Sequence, residues 1–234
     1  MLDRRMVDPQ QVRQFRLFRN LDDALVEDVR QHARIITLRA KESLFRQRES
    51  VHRTLFCFSG RVKLFRLNRM GGEKIFAIAG VGDTILDSIS LDHTRRYSLN
   101  CAAIVASEVM SIETDFLVDL FDRSPRARKD LITLLITRAE ELIDHVELLS
   151  VDKASHRVAT FLYDEYLRNG RAPSFRLPSS KKHIAIYLSL QPETLSRCLK
   201  ALRVDRIVNS NARDIEILDP NALAELVISS RSEL

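Results

Sequence analysis

The stretch SSKKHIAIYLSLQPETLSRCLKALRVDRIV, from Ser179 to Val208, decides the fold of the C-terminal part of the chain. Ser180 is a preferred N-cap residue and predicts that a helix begins directly after it. Residues 188–190 follow as a turn. Gln191 then takes the N-cap position of a second helix, because Pro192 fits the first helical position, where its missing N–H would have no intrahelical partner. The stretch predicts two short helices joined by a tight turn.

The apolar residues of these two helices predict how the helices pack. Ile184 and Leu188 share one face of the first helix, and Ala185 is small where two crossing helices must approach closely. The buried stripe of the second helix is predicted to contain Leu195, Leu199 and Leu202. Its outward face is predicted to contain Glu193, Ser196, Arg197 and Lys200. This is the layout of a helix-turn-helix.

The outward face has the chemistry needed to recognise base pairs. A carboxylate such as Glu193 accepts from a cytosine amino group, and a guanidinium such as Arg197 donates to guanine O6 and N7. Both side chains can enter one major groove because they are four residues apart, with Ser196 beside them. The alternative is an ordinary ion pair on a helix surface, which contributes a few tenths of a kcal/mol.

The charge distribution around this motif favours the DNA interpretation. The chain has a net charge of +5, and nine Lys/Arg against two acidic residues fall between Arg168 and Arg206. Such a concentration suits phosphate binding, although a solvated basic face would look similar. Ile207 and Val208, a polar turn at 209–211, and the apolar segment 215–218 predict a β-hairpin wing after the second helix.

The N-terminal part has a different pattern. Residues 9–31 have the apolar spacing of short helices, and short β-rich segments with glycine-containing turns follow between Ile35 and Ile112. Blurred alternation of apolar and polar residues is typical of a small closed barrel, and Gly71-Gly72 predicts a hairpin. The predicted strands are 35–38, 55–58, 61–67, 74–79, 98–102 and 108–112.

A helical stretch joins the two parts, from about Glu113 to Leu149 with a break at Ser124-Pro125. Its second half has a heptad-like apolar stripe, which either packs on its own domain or forms a dimer interface. The stripe is formed by Leu131, Leu135, Leu142, Val146 and Leu149. A further helix at 152–168 ends at Asn169-Gly170. The predicted domains are 1–125, 126–150 and 151–234, and the fold class is α+β.

Composition and the absence of certain motifs argue against membrane proteins, metal-binding proteins and enzymes. With 45% hydrophobic residues, no apolar run of membrane-spanning length and no signal-peptide pattern, we expect a cytoplasmic protein without a membrane partner. Three widely spaced cysteines, Cys57, Cys101 and Cys198, indicate plain thiols, with redox sensing as the alternative. Neither a metal-binding cysteine pattern nor a catalytic motif such as a Walker loop, GxSxG or HExxH is found, so no enzyme is predicted.

Taken together, these motifs resemble the Crp/Fnr superfamily of transcription regulators over nearly the whole chain. The resemblance rests on Gly60, Gly72 and Gly82-Asp83, on the long helix 126–149 and on the helix-turn-helix. It implies an N-terminal cyclic-nucleotide-binding-like β-barrel of the jelly-roll type (a double-stranded β-helix), a dimerisation helix and a C-terminal winged helix-turn-helix. Residues 188–197 and 214–219 look most like the Dnr-type nitric-oxide regulators.

The resemblance also implies roles for individual residues. Glu193, Ser196 and Arg197 correspond to the trio that recognises a TTGAT half-site in Fnr-like members. In such members, DNA phosphates are contacted by the positions similar to Ser180, Lys181, Gln191 and Thr194. These contacts fix the position of the protein along the duplex and do not determine which base sequence it recognises. A homodimer would then bind a TTGAT-N4-ATCAA-like palindrome and act with RNA polymerase.

Three effector types are expected within such a family. Cyclic-nucleotide binding is disfavoured, because Tyr97 takes the place of the phosphate-binding arginine, Arg96 is one residue off, and Asp87 replaces a ribose-binding Glu. An Fe–S cluster is disfavoured as well, because it needs four thiolates and the chain has three cysteines. Haem with nitric oxide is implied by the Dnr-type resemblance, with His145 on the presumed dimer helix, facing the sensor, as the candidate ligand. A ligand-independent or redox-responsive member is the remaining alternative.

Overall fold

The structure, a computed structural model, describes residues 2–3, 7–68, 71–85, 96–150 and 153–229. Its contacts divide the chain into two units, Met1–Glu140 and Glu141–Leu234. The division falls within the helix that the sequence predicts as a separate segment, 126–150. Each unit has its own hydrophobic core. Within the described residues, no helix has both the length and the hydropathy that crossing a bilayer requires.

The first unit is built on two antiparallel sheets. One has the strand order β1-β2-β9-β4-β7 and the other the order β3-β8-β5-β6. The strands are β1 (Leu2–Asp3), β2 (Arg34–Leu38), β3 (Ser43–Phe45), β4 (Arg53–Ser59), β5 (Val62–Leu67), β6 (Glu73–Ala79), β7 (Thr84–Ile85), β8 (Asn100–Ala103) and β9 (Ser107–Glu113). The predicted α+β class and β-rich N-terminal domain are confirmed.

The central strand β4 explains why the sequence alternation is blurred. Leu55 and Cys57 on β4 belong to the same buried cluster as Leu64 and Cys101 of the other sheet. Neighbouring residues of a strand point to opposite faces, so residues 56 and 58 enter a second cluster on the outer side. A strand that is buried on both faces has no polar face to alternate with an apolar one.

The outer cluster is covered by helices. These are α1 (Pro9–Arg13), α2 (Asp23–His32) and α3 (Thr114–Arg123). Phe15 and Phe18 pack against Phe56, with ring centroids 5.2 and 5.0 Å apart respectively. The predicted short helices in residues 9–31 are therefore confirmed, and they cover one face of the five-stranded sheet.

The six predicted strands are present, with ends that differ by one or two residues. The sequence did not predict β1, β3 and β7, which are only two or three residues long and give no usable period. The hairpin at Gly71-Gly72 is confirmed by the pairing of β5 with β6. Gly60, with φ +77°, makes the turn from β4 to β5.

The break at Ser124-Pro125 is confirmed. Ser124 ends α3, and its side-chain oxygen accepts a hydrogen bond of 3.2 Å from the N–H of Ala127 in α4 (Pro125–Ser150). Leu131 of α4 is only 6% exposed and lies in the outer cluster of the first unit. The assignment of Leu131 to a dimer interface is therefore wrong, because that side chain packs within its own unit.

The second unit combines helices with a small antiparallel sheet of order β10-β12-β11. Its core gathers apolar side chains from both the helices and the sheet. Beyond the end of α4, the elements are α5 (Ala154–Arg168), β10 (Ser174–Arg176), α6 (Lys181–Tyr187), α7 (Pro192–Val204), β11 (Val208–Asn211), β12 (Asp214–Ile217) and α8 (Pro220–Ser229). Asn169 is the C-cap of α5 and Gly170 follows with φ +68°, as predicted.

The wing hairpin exists, but its turn was misplaced. Residues 209–211 were predicted as the turn, whereas they belong to β11 and pair with β12. Asn211 pairs with Asp214, so the chain reverses at Ala212 and Arg213. The sequence also gave no strand in the proline-bearing segment 172–178, where β10 pairs with β12. Asn and Ser are turn formers in general, and here pairing with a neighbouring strand outweighs that preference.

Candidate nucleic-acid interface

The turn between α6 and α7 is held by a compact set of backbone hydrogen bonds. The N–H of Leu190 donates to Ala185 O at 2.8 Å, and the N–H of Ser189 donates to Ile186 O at 3.1 Å. These two bonds form a Schellman motif, with Ser189 in the left-handed region at φ +54°. Arg157 of α5 donates to Leu188 O at 3.2 Å. The predicted turn at 188–190 is therefore confirmed as a rigid corner.

The buried side of α7 anchors the helix to the unit. Leu195, Leu199 and Leu202 are all 6% exposed or less and lie in the core of the second unit. Ile184 and Ala185 of α6 are buried in the same cluster. The small Ala185 side chain lets the two helices approach closely. The predicted packing faces are confirmed.

The opposite side of α7 faces solvent. Glu193, Ser196, Arg197 and Lys200 are all exposed. Arg197 donates a hydrogen bond of 3.3 Å from Nη2 to Thr194 Oγ1. Among the described residues, the ion pairs of this unit do not include one between Glu193 and Arg197. The alternative of an intrahelical Glu–Arg pair is therefore not realised, and both charged groups are available to a ligand.

The predicted phosphate contacts lie at the N-termini of the same two helices. Ser180 is the N-cap of α6, and its Oγ accepts from the N–H of His183 at 3.3 Å. Buried Ser179 lies beside it, with its Oγ 2.9 Å from His183 Nδ1. Lys181 begins α6 and is half-buried. Helix N-termini favour anions, so these groups suit phosphate binding.

Gln191 and Thr194 lie in the first turn of the second helix. Gln191 is the N-cap of α7, is exposed and makes no capping hydrogen bond with its side chain. Thr194 is half-buried and accepts the hydrogen bond from Arg197. The side chain of Gln191 therefore remains available to DNA, whereas the hydroxyl of Thr194 already has an intramolecular contact.

The basic residues that the sequence groups around the motif are on the surface. Lys182, Arg203 and Arg206 are exposed, in addition to Arg197 and Lys200 of α7. The exposed face of α7 and the N-terminus of α6 thus combine positive charge with groups that can recognise bases. This combination is typical of a protein that binds the major groove.

Of the predicted effector residues, the structure describes Arg96, Tyr97 and His145. Asp87 lies outside the described residues. Tyr97 is 7% exposed and stacks on Phe45 in the core between the two sheets, with ring centroids 3.7 Å apart. Arg96 is exposed, and its Nη1 donates to Arg48 O at 2.9 Å. Thus an aromatic ring enters the core, and the neighbouring guanidinium stays at the surface.

His145, predicted as a residue of the effector pocket, has an aromatic neighbour in the structure. It belongs to the second unit, where its ring stacks on Tyr187 of α6 at a centroid distance of 4.4 Å. Tyr187 also contacts Phe161 of α5 edge-on at 6.3 Å. The ring of His145 therefore contacts the helix-turn-helix, and its role in an effector pocket stays a prediction.

The cysteines are placed as ordinary thiols. Cys57 and Cys101 are fully buried between the two sheets. Burial, and after it the negative charge of Asp83, raises the pKa of the Cys57 thiol to about 12. Cys198 is half-buried, and burial raises the pKa of its thiol as well. Raised thiol pKa values disfavour the thiolate, which is the reactive form.

The exposed side of α4 has an apolar stripe that only partly coincides with the heptad-like pattern of the sequence. Leu135, Leu142 and Val146 are exposed and Leu149 is half-buried, and their place in a dimer interface stays a prediction. Ile132, Ile136, Ala139 and Ile143 are exposed as well. The α4 stripe thus consists of Ile132, Leu135, Ile136, Ala139, Leu142, Ile143 and Val146, and its six large members are 45–66% exposed.

Comparison with known proteins agrees with both units. Residues 35–124 match the family model of the cyclic nucleotide-binding domain, and residues 156–226 match that of the Crp-like helix-turn-helix domain. The cyclic AMP receptor protein of Thermus thermophilus is 30% identical over 168 residues, which are 72% of this chain and 76% of that protein. The fumarate and nitrate reduction regulatory protein of Vibrio cholerae is 28% identical over 190 residues, with coverages of 79% and 75%.

A solved structure supports the same assignment. The structure of FixK2 from Bradyrhizobium japonicum has a TM-score of 0.75 at 26% identity and covers 83% of this chain and 96% of its own. The fold and the exposed face of α7 define a DNA-binding regulator with a β-rich domain and a helix-turn-helix. The chain belongs to the Crp/Fnr family of transcription regulators. The relatives are regulators rather than enzymes, and the finer Dnr-type resemblance remains a prediction.

Proposed function

We propose that the chain binds a TTGAT-N4-ATCAA-like palindrome as a homodimer and thereby regulates transcription, in the cytoplasm and together with RNA polymerase. Glu193, Ser196 and Arg197 contact the bases, and Ser180, Lys181 and Gln191 contact phosphates. The observation on which the proposal rests is the exposure of the three base-contacting residues on the side of α7 opposite its buried leucines. Family membership supports DNA binding, and the spacing of the trio favours this half-site.

The homodimer is supported by the α4 stripe. Ile132, Ile136, Ala139, Ile143 and Val146 follow one another at spacings of four and three residues, which is the a/d pattern of a coiled coil. Isoleucine at positions 136 and 143 and the small Ala139 between them favour two closely packed parallel helices. Large exposed apolar residues in one row mark an interaction surface, and a second copy of α4 is the occupant that matches this spacing.

The test is a comparison of base selectivity between variants. Arg197→Ala should weaken binding to the palindrome by about 1–3 kcal/mol and abolish the preference at one base pair of each half-site. Lys181→Ala is the matched control, because loss of a phosphate contact should weaken binding to all duplexes equally and lower the salt dependence by about one unit. Fluorescence anisotropy on the palindrome and its single-pair variants measures both. An equal loss on every duplex for Arg197→Ala would refute base recognition by this residue.

The proposed effector, nitric oxide acting through haem, is supported by the Dnr-type resemblance of the recognition helix and opposed by the positions of the described histidines. The described histidines do not fit an axial ligand within the barrel. His32 and His52 lie on the surface of the first unit, and His145 packs on Tyr187 in the second. His156 and His183 are hydrogen-bonded within the second unit, and His93 lies outside the described residues. Absorption spectra of protein mixed with haem, before and after nitric oxide, test this part.

A cyclic nucleotide is the second candidate, since one relative is named a cyclic AMP receptor protein. Tyr97 argues against it, because its ring occupies the core between the sheets and Arg96 is directed to the carbonyl of Arg48. Titration calorimetry with cAMP is expected to give no binding heat. Saturable heat with cAMP would establish the cyclic nucleotide as the effector instead.

A further inference from the structure

Among the described residues, the Arg197 guanidinium has no ion pair and one intramolecular hydrogen bond, from Nη2 to Thr194 Oγ1 at 3.3 Å. The two residues are three apart on α7, so they are neighbours on the helix surface. Thr194 is half-buried next to the anchoring Leu195, whereas Arg197 is exposed. The Thr194 hydroxyl, which accepts the hydrogen bond, is therefore held more firmly than the Arg197 guanidinium, which donates it.

Such a contact affects base recognition because arginine is long and rich in rotamers. Holding the guanidinium before DNA arrives lowers the conformational entropy lost on binding. A guanidinium has five N–H donors, so one bond to a hydroxyl leaves a pair of donors for guanine O6 and N7. The bond also directs Arg197 toward Thr194 rather than toward Glu193, which would compete for it as an ion-pair partner.

We infer that Thr194 is a positioning residue that determines specificity by orienting Arg197, rather than a contact to a DNA phosphate. The inference rests on the proposed function, since it requires Arg197 to contact a base. Thr194 acts through Arg197 and does not touch the base itself. Its hydroxyl is the operative group, and its methyl group is not needed.

The experiment compares Thr194→Val with Thr194→Ser. Valine keeps the size and β-branching of threonine but removes the acceptor, whereas serine keeps the acceptor. Anisotropy titrations use the palindrome and the variant duplex in which the base pair identified by Arg197→Ala is replaced in both half-sites. Thr194→Val should lower the ratio of the two affinities by roughly 3- to 10-fold, as expected for one lost hydrogen bond. Thr194→Ser should retain the ratio of the parent protein.

The outcomes separate the two possible roles of Thr194. A uniform loss on both duplexes in Thr194→Val would identify a phosphate contact and overturn the inference, as would an unchanged ratio. Loss of selectivity in Thr194→Ser as well would show that the hydroxyl is not the operative group. If Arg197→Ala itself leaves selectivity unchanged, the proposed function and this inference fail together. If it abolishes selectivity and Thr194→Val does not lower it, only the role of Thr194 is rejected.

Discussion

Gly60 shows how strongly a single turn residue can be constrained. Its φ of +77° lies in the left-handed region, and a Cβ at this position would come within 2.5 Å of Ala106 O and 2.7 Å of Ser107 Cα. Both contacts are with backbone atoms, so they cannot be relieved by a side-chain rotation. Gly71 has the same φ of +77° but nothing within 4 Å of such a Cβ. A comparison of Gly60 with Gly71 therefore separates the cost of backbone strain, which both positions have, from the cost of steric overlap, which only Gly60 has.

Gly71→Ala should therefore lower the free energy of unfolding by about 1–2 kcal/mol, the usual cost of a left-handed alanine. Gly60→Ala should lower it by about 2–5 kcal/mol, because overpacking adds to the same strain. Urea denaturation of the two variants measures the difference. Equal losses in the two variants would show that the close approach of Ser107 to Gly60 is not a real constraint.

The three thiols should differ in reactivity. Cys57 and Cys101 are fully buried, and the pKa of Cys57 is raised to about 12, so at pH 8 neither is expected to react in the folded protein. Cys198 is half-buried and should react slowly, because the pKa of its thiol is also raised. Labelling with a thiol reagent should give one modified residue, and none in Cys198→Ser. Rapid labelling of Cys57 would revive the redox-responsive alternative.

At the residue scale, the sequence predicts which side chains of α7 face outward, because leucines at positions 195, 199 and 202 define the buried side. It does not predict the partner of Arg197. Thr194 and Glu193 are three and four residues before Arg197, and both spacings allow contact on a helix. The choice depends on side-chain geometry, as does the orientation of His145 toward Tyr187.

At the scale of elements, the most important feature is the α4 stripe, because the proposed dimer interface depends on it. Helix α4 alternates between residues that pack within the protein, such as Leu131 and Leu148, and exposed members of the stripe. The heptad-like pattern in the sequence located this helix but combined both kinds of residue in one stripe. A helix with two apolar sides does not reveal from its sequence which side meets its own domain.

Ile136→Asp should convert the dimer into a monomer, because a carboxylate would be buried without a partner in the middle of the interface. The dissociation constant of the dimer should rise about 100-fold or more. Sedimentation equilibrium measures it, with Arg126→Asp, in the first turn of the same helix and outside the stripe, as the control. A dimer of unchanged affinity in Ile136→Asp would place the interface elsewhere.

The wing shows the limits of local sequence signals at the same scale. Residues 209–211 have the composition of a turn, but they form a strand because β12 offers a partner in register. In the same way, β10 follows from pairing with β12 and not from its own composition. By contrast, α6 and α7 were predicted closely, since their caps and buried stripes are determined by nearby residues.

At the scale of the whole molecule, the two units have separate cores and α4 contributes to both. The positive charge that suits a polyanion is concentrated around the helix-turn-helix of the second unit. The first unit has an apolar interior between its sheets, with Tyr97 among its buried residues. The features that suit DNA recognition therefore lie in the second unit, and the proposed effector response is assigned to the first.

The most direct test is a pair of titrations of the unmodified protein at one salt concentration. One duplex contains TTGAT-N4-ATCAA, and the other has the same base composition with both half-sites shuffled. We predict that the palindrome binds at least about 10³-fold more tightly, as specific sites do relative to non-specific DNA. Equal affinities that fall in parallel as salt is added would show that only phosphates are recognised, and would contradict sequence-specific recognition by α7.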